Sequence, residues 1–262
     1  MENQQNKVPK LVCMLRVKDG ILFVHDWLES ISKIVDEIVV VDNGSTDGTL
    51  DVLRAHPKVV SVDETVGFDE GRDKILAHDR AKERNPDWIL WVDVDEIFEE
   101  RLTRDVLNKM MLSPTITRYW FRRFHLHKSE NEFEASRQKI YEIASPDRVL
   151  WKNQPTGYFK YAKIHCHLIR GITGKSAVTH YRIRHYGNLH KDYLKKKTNL
   201  YLSIDPDQKD KYIKHRDQDL PTLKWHEYSE KPVSVTMLNY FLDMLFGFAF
   251  IKRKLGKANA ES

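Results

Sequence analysis

The sequence predicts an α/β fold: a mixed, mainly parallel sheet flanked by helices, followed by a helical C-terminal extension. Three observations carry this reading. Apolar runs without polar alternation recur at 10–15, 37–41, 59–62 and 88–92, as in strands buried on both faces. Segments with helical spacing at 21–34, 49–55 and 69–84 separate them, giving β-α-β-α-β-α-β over about the first hundred residues. Beyond that the pattern shifts to strands parted by turn residues.

Taken in order, KLVCML opens the sheet and breaks at 16–20 before the first helix. The third helix stops at Asn85-Pro86, where proline cannot continue the hydrogen-bond ladder. Segments 118–127, 139–143, 148–151 and 162–170 read as strands, separated by Asn153-Gln154-Pro155 and by the glycines at 171 and 174. Residues 191–202 form a basic helix, 205–221 a polar loop or short helix, and 233–251 an apolar helix with a basic tail. The expected division is an α/β unit over 1–202 and an extension over 203–262.

The bulk numbers narrow the function classes. A chain of 262 residues with 41% hydrophobic and 11% aromatic content can build a large core. Its net charge of +5 gives no argument for nucleic acid but suits phosphorylated ligands or an anionic membrane. Two cysteines, Cys13 and Cys166, imply no disulfide framework. The polar N-terminus MENQQNKVPK carries no secretory signal pattern, and a reducing cytoplasm is the expected location.

The stretch IVVVDNGSTDGT at 38–49 ends an oily strand in small polar groups. One reading is a turn into the next helix, with Gly44 at an unusual φ and Ser45 or Thr46 as the cap. The other adds a ligand, since open α/β sheets bind ligands beyond the carboxyl ends of their strands; Asp42 would then accept N–H or O–H groups there. An EF-hand is excluded. Its loop needs a bidentate glutamate at position twelve, and counting from Asn43 that position is Arg54.

WILWVDVDEIFEE carries the second candidate site. If the chain stays extended, Asp93 and Asp95 project to one face. Two close carboxylates persist most readily with a cation between them. Mg²⁺ or Mn²⁺, sharing its ligands with a diphosphate, suits oxygen donors. The competing reading is a surface loop, but Asp42 ends a neighbouring strand on the same sheet edge.

MLRVKDG, VDEIVVVDNGSTDGT, VGFDEGRDK and DWILWVDVDEIFE occur in that order. Together they resemble the family 2 glycosyltransferases of the GT-A fold. The likeness is fullest over about residues 10–100 and continues faintly through RVLWKN, KIHCHL and HYRIRHYG. It implies a GT-A (Rossmann-like) nucleotide-sugar-binding and catalytic domain over 1–202. It implies inverting transfer from a nucleoside-diphosphate sugar to an acceptor hydroxyl, with Mn²⁺ or Mg²⁺. It assigns donor contacts to Leu15, Arg16, Val17, Asp42, Asn43, Arg72, Asp93 and Val94, and metal contacts to Asp93, Asp95 and His185.

The chain departs from the family pattern in two places. Gly71-Arg72-Asp73 stands where A-R-N is frequent, and Ile164-His165-Cys166-His167-Leu168 where V-H-E-H-L is frequent. Cys166 cannot replace the carboxylate of that motif as a general base. His165 and His167, which share a face on a strand, and Asp147 are the candidates for the base.

Twelve histidines give no compact Cys/His quartet, so structural zinc is not expected. The segment VSVTMLNYFLDMLFGFAFI, at 233–251, carries Asn239 and Asp243 and is followed by Lys252-Arg253-Lys254. It reads as an in-plane membrane helix, as a helix packed on the domain, or as a homodimer contact. A peripheral place on the inner face of a membrane would suit a lipid-linked acceptor; a glycan acceptor is the other expectation. Lys191 and the lysines at 195–197 join that basic surface or form a solvated helix face. Two other classes stay open: a haloacid-dehalogenase-like phosphatase using Asp93 as nucleophile, and a non-catalytic nucleotide-sugar-binding protein.

Overall fold

The computed structural model describes residues 7–134, 149–164, 166, 168–208 and 221–227. Its first half is four parallel strands: β1 (Leu11–Val17), β2 (Glu37–Asp42), β3 (Val59–Glu64) and β4 (Trp88–Trp91). They lie side by side as β3-β2-β1-β4. Helices α1 (Ile21–Ile31), α2 (Thr49–Ala55) and α3 (Glu70–Glu83) make the crossovers. Each of these seven elements falls where the sequence places it, within a few residues.

Side-chain alternation along the strands builds two cores. Leu11, Cys13 and Leu15 of β1, Ile38 and Val40 of β2, and Trp88 and Leu90 of β4 face one side, against Phe23, Val24, Trp27 and Ile31 of α1. Val12, Met14, Val39, Val41, Ile89 and Trp91 face the other, against Ala77 and Ala81 of α3. Both faces are covered, so the strands carry no polar alternation. Cys13 and Cys166 are both buried free thiols.

The second half turns the sheet mixed. After β5 (Glu96–Phe98) and α4 (Arg104–Met111) come β6 (Ile116–His127), β7 (Ser129–Glu134), β8 (Val149–Lys152), β9 (Tyr158–Phe159), β10 (Ile169–Arg170) and β11 (Lys175–His185). Strand β8 lies antiparallel between β4 and β6. Strand β11 runs parallel to β6 and antiparallel to β5. Helix α5 (Lys191–Ile204) follows, and β12 (Thr222–Lys224) pairs with β7. Among the described residues this makes a ten-stranded sheet and a separate β9–β10 pair.

Three expectations are corrected here. The strand expected over 162–170 is reduced to Ile169–Arg170, and the described residues at 162–164, 166 and 168 carry no strand. His165 and His167 themselves lie outside the described residues. Ser45 and Thr46 do not cap α2; the helix begins after Gly48, whose φ is 95°, with no side-chain cap. The polar segment at 129–134 and the arginine-rich one at 175–185 are strands the sequence did not suggest. The expected strand at 139–143 and helix at 233–251 lie outside the described residues.

Strand β11 can bury its arginine because Glu99 meets it. Glu99 is 2% exposed and accepts from Arg182 N–H at 2.9 Å and Arg182 Nε at 3.1 Å. The guanidinium also lies over the Trp225 ring at 3.9 Å. Removing one partner of such a pair costs about 3–5 kcal/mol. Glu99→Ala is expected to lower the unfolding free energy by that amount in urea unfolding, whereas Glu100→Ala, at an exposed carboxylate, is expected to lower it by less than about 1 kcal/mol.

Candidate active site

The order β3-β2-β1-β4 reverses direction between β1 and β4, and such a switch point opens a crevice at the carboxyl edge of the sheet. A cavity of ≈ 570 Å³ lies there, within the range of small-molecule sites. Arg16, Val17, Lys18 and Asp19 line it from the end of β1, and Trp91 and residues 93–95 from the end of β4. Thr46 and Asp47 come from the loop after β2, and Phe68, Glu70 and Lys74 from the start of α3. Helix α5 crosses the remaining side with Tyr193, Lys196, Lys197, Leu200 and Tyr201.

The loops after β1 and β2 are sewn together. Asp19 N–H donates to Ser45 Oγ at 2.8 Å, Thr46 N–H to Asp19 Oδ1 at 2.8 Å, and Ile21 N–H to Asp47 Oδ2 at 3.0 Å. Asp42 is fully buried and holds its own turn: Oδ1 accepts from Gly44 N–H at 3.0 Å and Ser45 N–H at 2.8 Å. Gly44 has φ 75°, in the left-handed region, which a side chain would make costly. Of the two sequence readings of this stretch, the turn with Gly44 at an unusual φ is what the structure has, and Asp42 closes it; Asp42 does not line the cavity, which Thr46 and Asp47 of the same loop do.

Beyond β4 the chain does not stay extended. Glu96 N–H bonds Asp93 C=O at 3.1 Å, closing a turn. The expectation of two carboxylates side by side on a strand is therefore corrected. Asp93 is half-buried at the cavity, and its N–H bonds Glu96 Oε2 at 3.1 Å. Asp95 is 1% exposed, with its Oδ2 3.1 Å from Lys197 Nζ and 3.4 Å from His185 Nε2. Burial works against the Asp95 carboxylate, yet Lys197 and His185 hold its pKa well below the usual range. Burial likewise opposes the Lys197 charge, and Asp95 outweighs it, raising the ammonium above its ordinary value.

His185 reaches Asp95 because β11 pairs with β5, placing His185 opposite Glu96. Its other ring nitrogen, Nδ1, lies 3.1 Å from Nδ1 of His125. One of those two nitrogens carries a proton and the other accepts. Which of the two rings donates depends on their tautomers, and His185 Nε2 stands 3.4 Å from the Asp95 carboxylate.

This arrangement bears on the divalent ion that the resemblance implies. Such an ion needs only one or two carboxylates from the protein and shares its other positions with water and phosphate oxygens. Here Asp95 Oδ2 already faces the Lys197 ammonium at 3.1 Å and the His185 ring at 3.4 Å. Among the described residues no group of three or more His, Cys, Asp or Glu side chains converges on a point where a metal could sit. As arranged, the Asp95 carboxylate has its charge balanced by Lys197 and does not fit a divalent ion held on that oxygen.

The sequence-predicted residues divide accordingly. Arg16, Val17, Asp93, Val94 and Asp95 meet at the cavity, with His185 behind Asp95. Leu15 is fully buried in the core beneath it. Asn43 is 1% exposed and donates to Thr65 Oγ1 and Gly67 C=O. Arg72 bonds Asp73 and the carbonyls of Val66 and Gly67. Leu15, Asp42, Asn43 and Arg72 are not among the cavity-lining residues. Asp147, His165 and His167 lie outside the described residues.

The basic helix expected over 191–202 is α5, but its place at the cavity is not what the sequence suggests, which is a membrane-facing or solvated surface for its lysines. The signal was present: 193, 196, 197, 200 and 201 follow the i, i+3, i+4, i+7, i+8 spacing of one helical face. Lys74 and Glu70 were also missed. They pair at 2.7 Å, and the Lys74 ammonium stands 4.5 Å from the Trp91 ring.

A Rossmann-like, mainly parallel sheet with a cavity at its switch point is the GT-A type of fold. The model of the family described as Glycosyl transferase family 2 matches residues 21–169, and the chain belongs to that family. The comparison with curated proteins gives no match. Among solved structures, S. aureus TarS 1-349 is 15% identical with a TM-score of 0.48, covering 79% of this chain and 70% of that one. A further structure of that TarS chain is in complex with UDP, at 14% identity and TM-score 0.48 over 78% and 69% of the two chains. Mannosyltransferase PcManGT from Pyrobaculum calidifontis, in complex with GDP-Man and Mn2+, is 14% identical with a TM-score of 0.43 over 81% of this chain and 66% of that one.

Gly187 tests how tightly the Asp95 carboxylate is held. A Cβ on Gly187 would lie 2.6 Å from Asp95 Oδ2 and 3.0 Å from His185 Cε1. Gly187→Ala is expected to cost about 1–3 kcal/mol in thermal or chemical unfolding, because the carboxylate cannot retreat without breaking its pairing.

Proposed function

We propose that this protein transfers a sugar from a nucleoside-diphosphate sugar to an acceptor hydroxyl, in one displacement that inverts the anomeric centre. Family membership supports the transferase class. The observation that carries the donor assignment is the meeting of basic and acidic side chains around one cavity at the β1/β4 switch point. It supports the transferase reading over the phosphatase one, in which the paired aspartates would follow the first strand; here Asp93 and Asp95 follow β4, and Asp19 after β1 accepts from Thr46 N–H in the loop contact.

The chemistry needs two things of the protein. As the bond from the anomeric carbon to the diphosphate breaks, negative charge grows on the leaving oxygens. Fixed positive charges stabilise it, and they act more strongly where water is excluded. Arg16, Lys18, Lys196 and Lys197 line the cavity. Arg16 is held for this role: its Nε pairs with buried Asp73 at 3.1 Å, and its guanidinium lies 4.7 Å from the Phe68 ring. Asp93, half-exposed to the cavity, suits a hydroxyl of the donor as acceptor of its hydrogen bond. No step in this reading passes through Mn²⁺ or Mg²⁺.

The second need is a base on the acceptor side. His165, His167 and Asp147 are our proposals for it. The acceptor we propose is a glycan or lipid-linked hydroxyl, and residues 233–251 with the basic tail would hold the enzyme at a surface carrying such a lipid. No helix among the described residues is long and apolar enough to cross a membrane.

The test is incubation with a panel of nucleotide sugars and analysis of the anomeric configuration of the product by NMR. Turnover with inversion is expected, and Asp93→Asn is expected to lower kcat/KM by about 10²-fold or more, the scale of a lost preorganised contact. Turnover with retention, or a phosphoenzyme trapped on Asp93, would refute this reading.

A further inference from the structure

We infer that Lys197 is the protein's own cation for the donor diphosphate, occupying the position facing Asp95 so that nucleotide binding needs no divalent ion. This rests on the donor reading above. Four observations on the described residues carry it.

The first is position. Lys197 Nζ lies 3.1 Å from Asp95 Oδ2, at the end of β4, where the switch-point crevice receives its ligand. The second is exposure: Asp95 is 1% exposed at its side chain and Lys197 32%. The carboxylate is the buried anchor, and Lys197 is the partner whose side chain is more exposed at the cavity. The third is donor capacity. An ammonium carries three N–H donors, and the bond to Asp95 uses one of them. A diphosphate entering the cavity can take another without breaking the pair. The fourth is occupancy: the buried Asp95 carboxylate already has the Lys197 ammonium at 3.1 Å and the His185 ring at 3.4 Å.

The carrier of this cation also has the right form. Helix α5 spans Lys191–Ile204, past the 21–169 segment that the family model matches. It brings Lys197 on the same face as Tyr193 and Tyr201, which wall the cavity on either side. The Lys197 ammonium stands 5.5 Å from the Tyr193 ring, within the range of a cation–π contact. A flexible lysine is thereby confined to one place, which lowers the entropy it loses when a phosphate arrives.

Isothermal titration of the full chain with UDP and with GDP, each in EDTA and in MnCl₂, tests the inference. Wild type is expected to bind one of the two in EDTA, with Mn²⁺ changing the affinity by less than about threefold. Lys197→Met is expected to weaken binding in EDTA by at least about thirtyfold, the scale for losing a buried charged contact. Lys197→Arg is expected to keep most of the affinity, and Lys195→Met, at an exposed position on the other face of α5, all of it. Should Lys197→Met fail to fold, Lys197→Gln removes the charge while keeping length and polarity. Binding by wild type only when Mn²⁺ is present would overturn the inference, as would a charge-free variant that binds in EDTA like wild type. Binding of neither nucleotide under either condition would overturn the donor reading and this inference with it.

Discussion

The buried carboxylate of Asp95 is the constraint on which the rest of the site depends. A carboxylate that is 1% exposed is tolerable only with its oxygens matched by donors and its charge offset. Here the compensation comes from two distant parts of the chain, the end of β11 through His185 and the middle of α5 through Lys197. Those elements must arrive for the turn after β4 to be stable. Tyr186 N–H adds a backbone tie to Asp95 C=O at 2.8 Å. The pairing therefore closes β5, β11 and α5 around the end of β4, and it keeps Lys197 in the wall of the cavity.

A second network serves the opposite wall and is satisfied in another way. The loops after β1 and β2 exchange short-range hydrogen bonds among Asp19, Ser45, Thr46 and Asp47, and Asp42 holds the turn between them. Arg16, Asp73, Thr65 and Arg72 continue this network under Phe68. Most of these polar groups are spent on each other, so the wall is preorganised before any ligand enters. Preorganised polar walls are what a charged transition state gains from.

The parallel half of the fold was legible because its strands are covered on both faces. Strands β1, β2 and β4 read as unbroken apolar runs for that reason, and each is bounded by a turn with glycine, aspartate or proline. The mixed half was less legible because its strands bury charge. Strand β11, KSAVTHYRIRH, has no apolar run, and its burial depends on Glu99 and Trp225, which are remote in sequence. Strand β7, SENEFE, buries only Phe133 and Glu134. For the site, the acids at the strand ends could be located from the pattern, and Arg16, Val17 and Asp93–Asp95 do converge. The direction of each side chain could not. Whether Asp42 turns inward, and whether a lysine faces Asp95, is decided by backbone turns and by α5, which only tertiary structure brings together. Lys195, Lys196 and Lys197 look alike in sequence; helical phase turns Lys195 away and leaves Lys196, exposed, and Lys197, half-buried, at the cavity.

The most direct measurement of the central claim is a double-mutant cycle between Asp95→Asn and Lys197→Met, read by urea unfolding of the full chain. Either single change leaves one charge without its partner, and the double change leaves none. The account expects the double variant to be more stable than the sum of the single costs allows, with a coupling energy of at least about 1 kcal/mol. Costs that add within about 0.3 kcal/mol would contradict it, because Asp95 and Lys197 would then not be acting on each other.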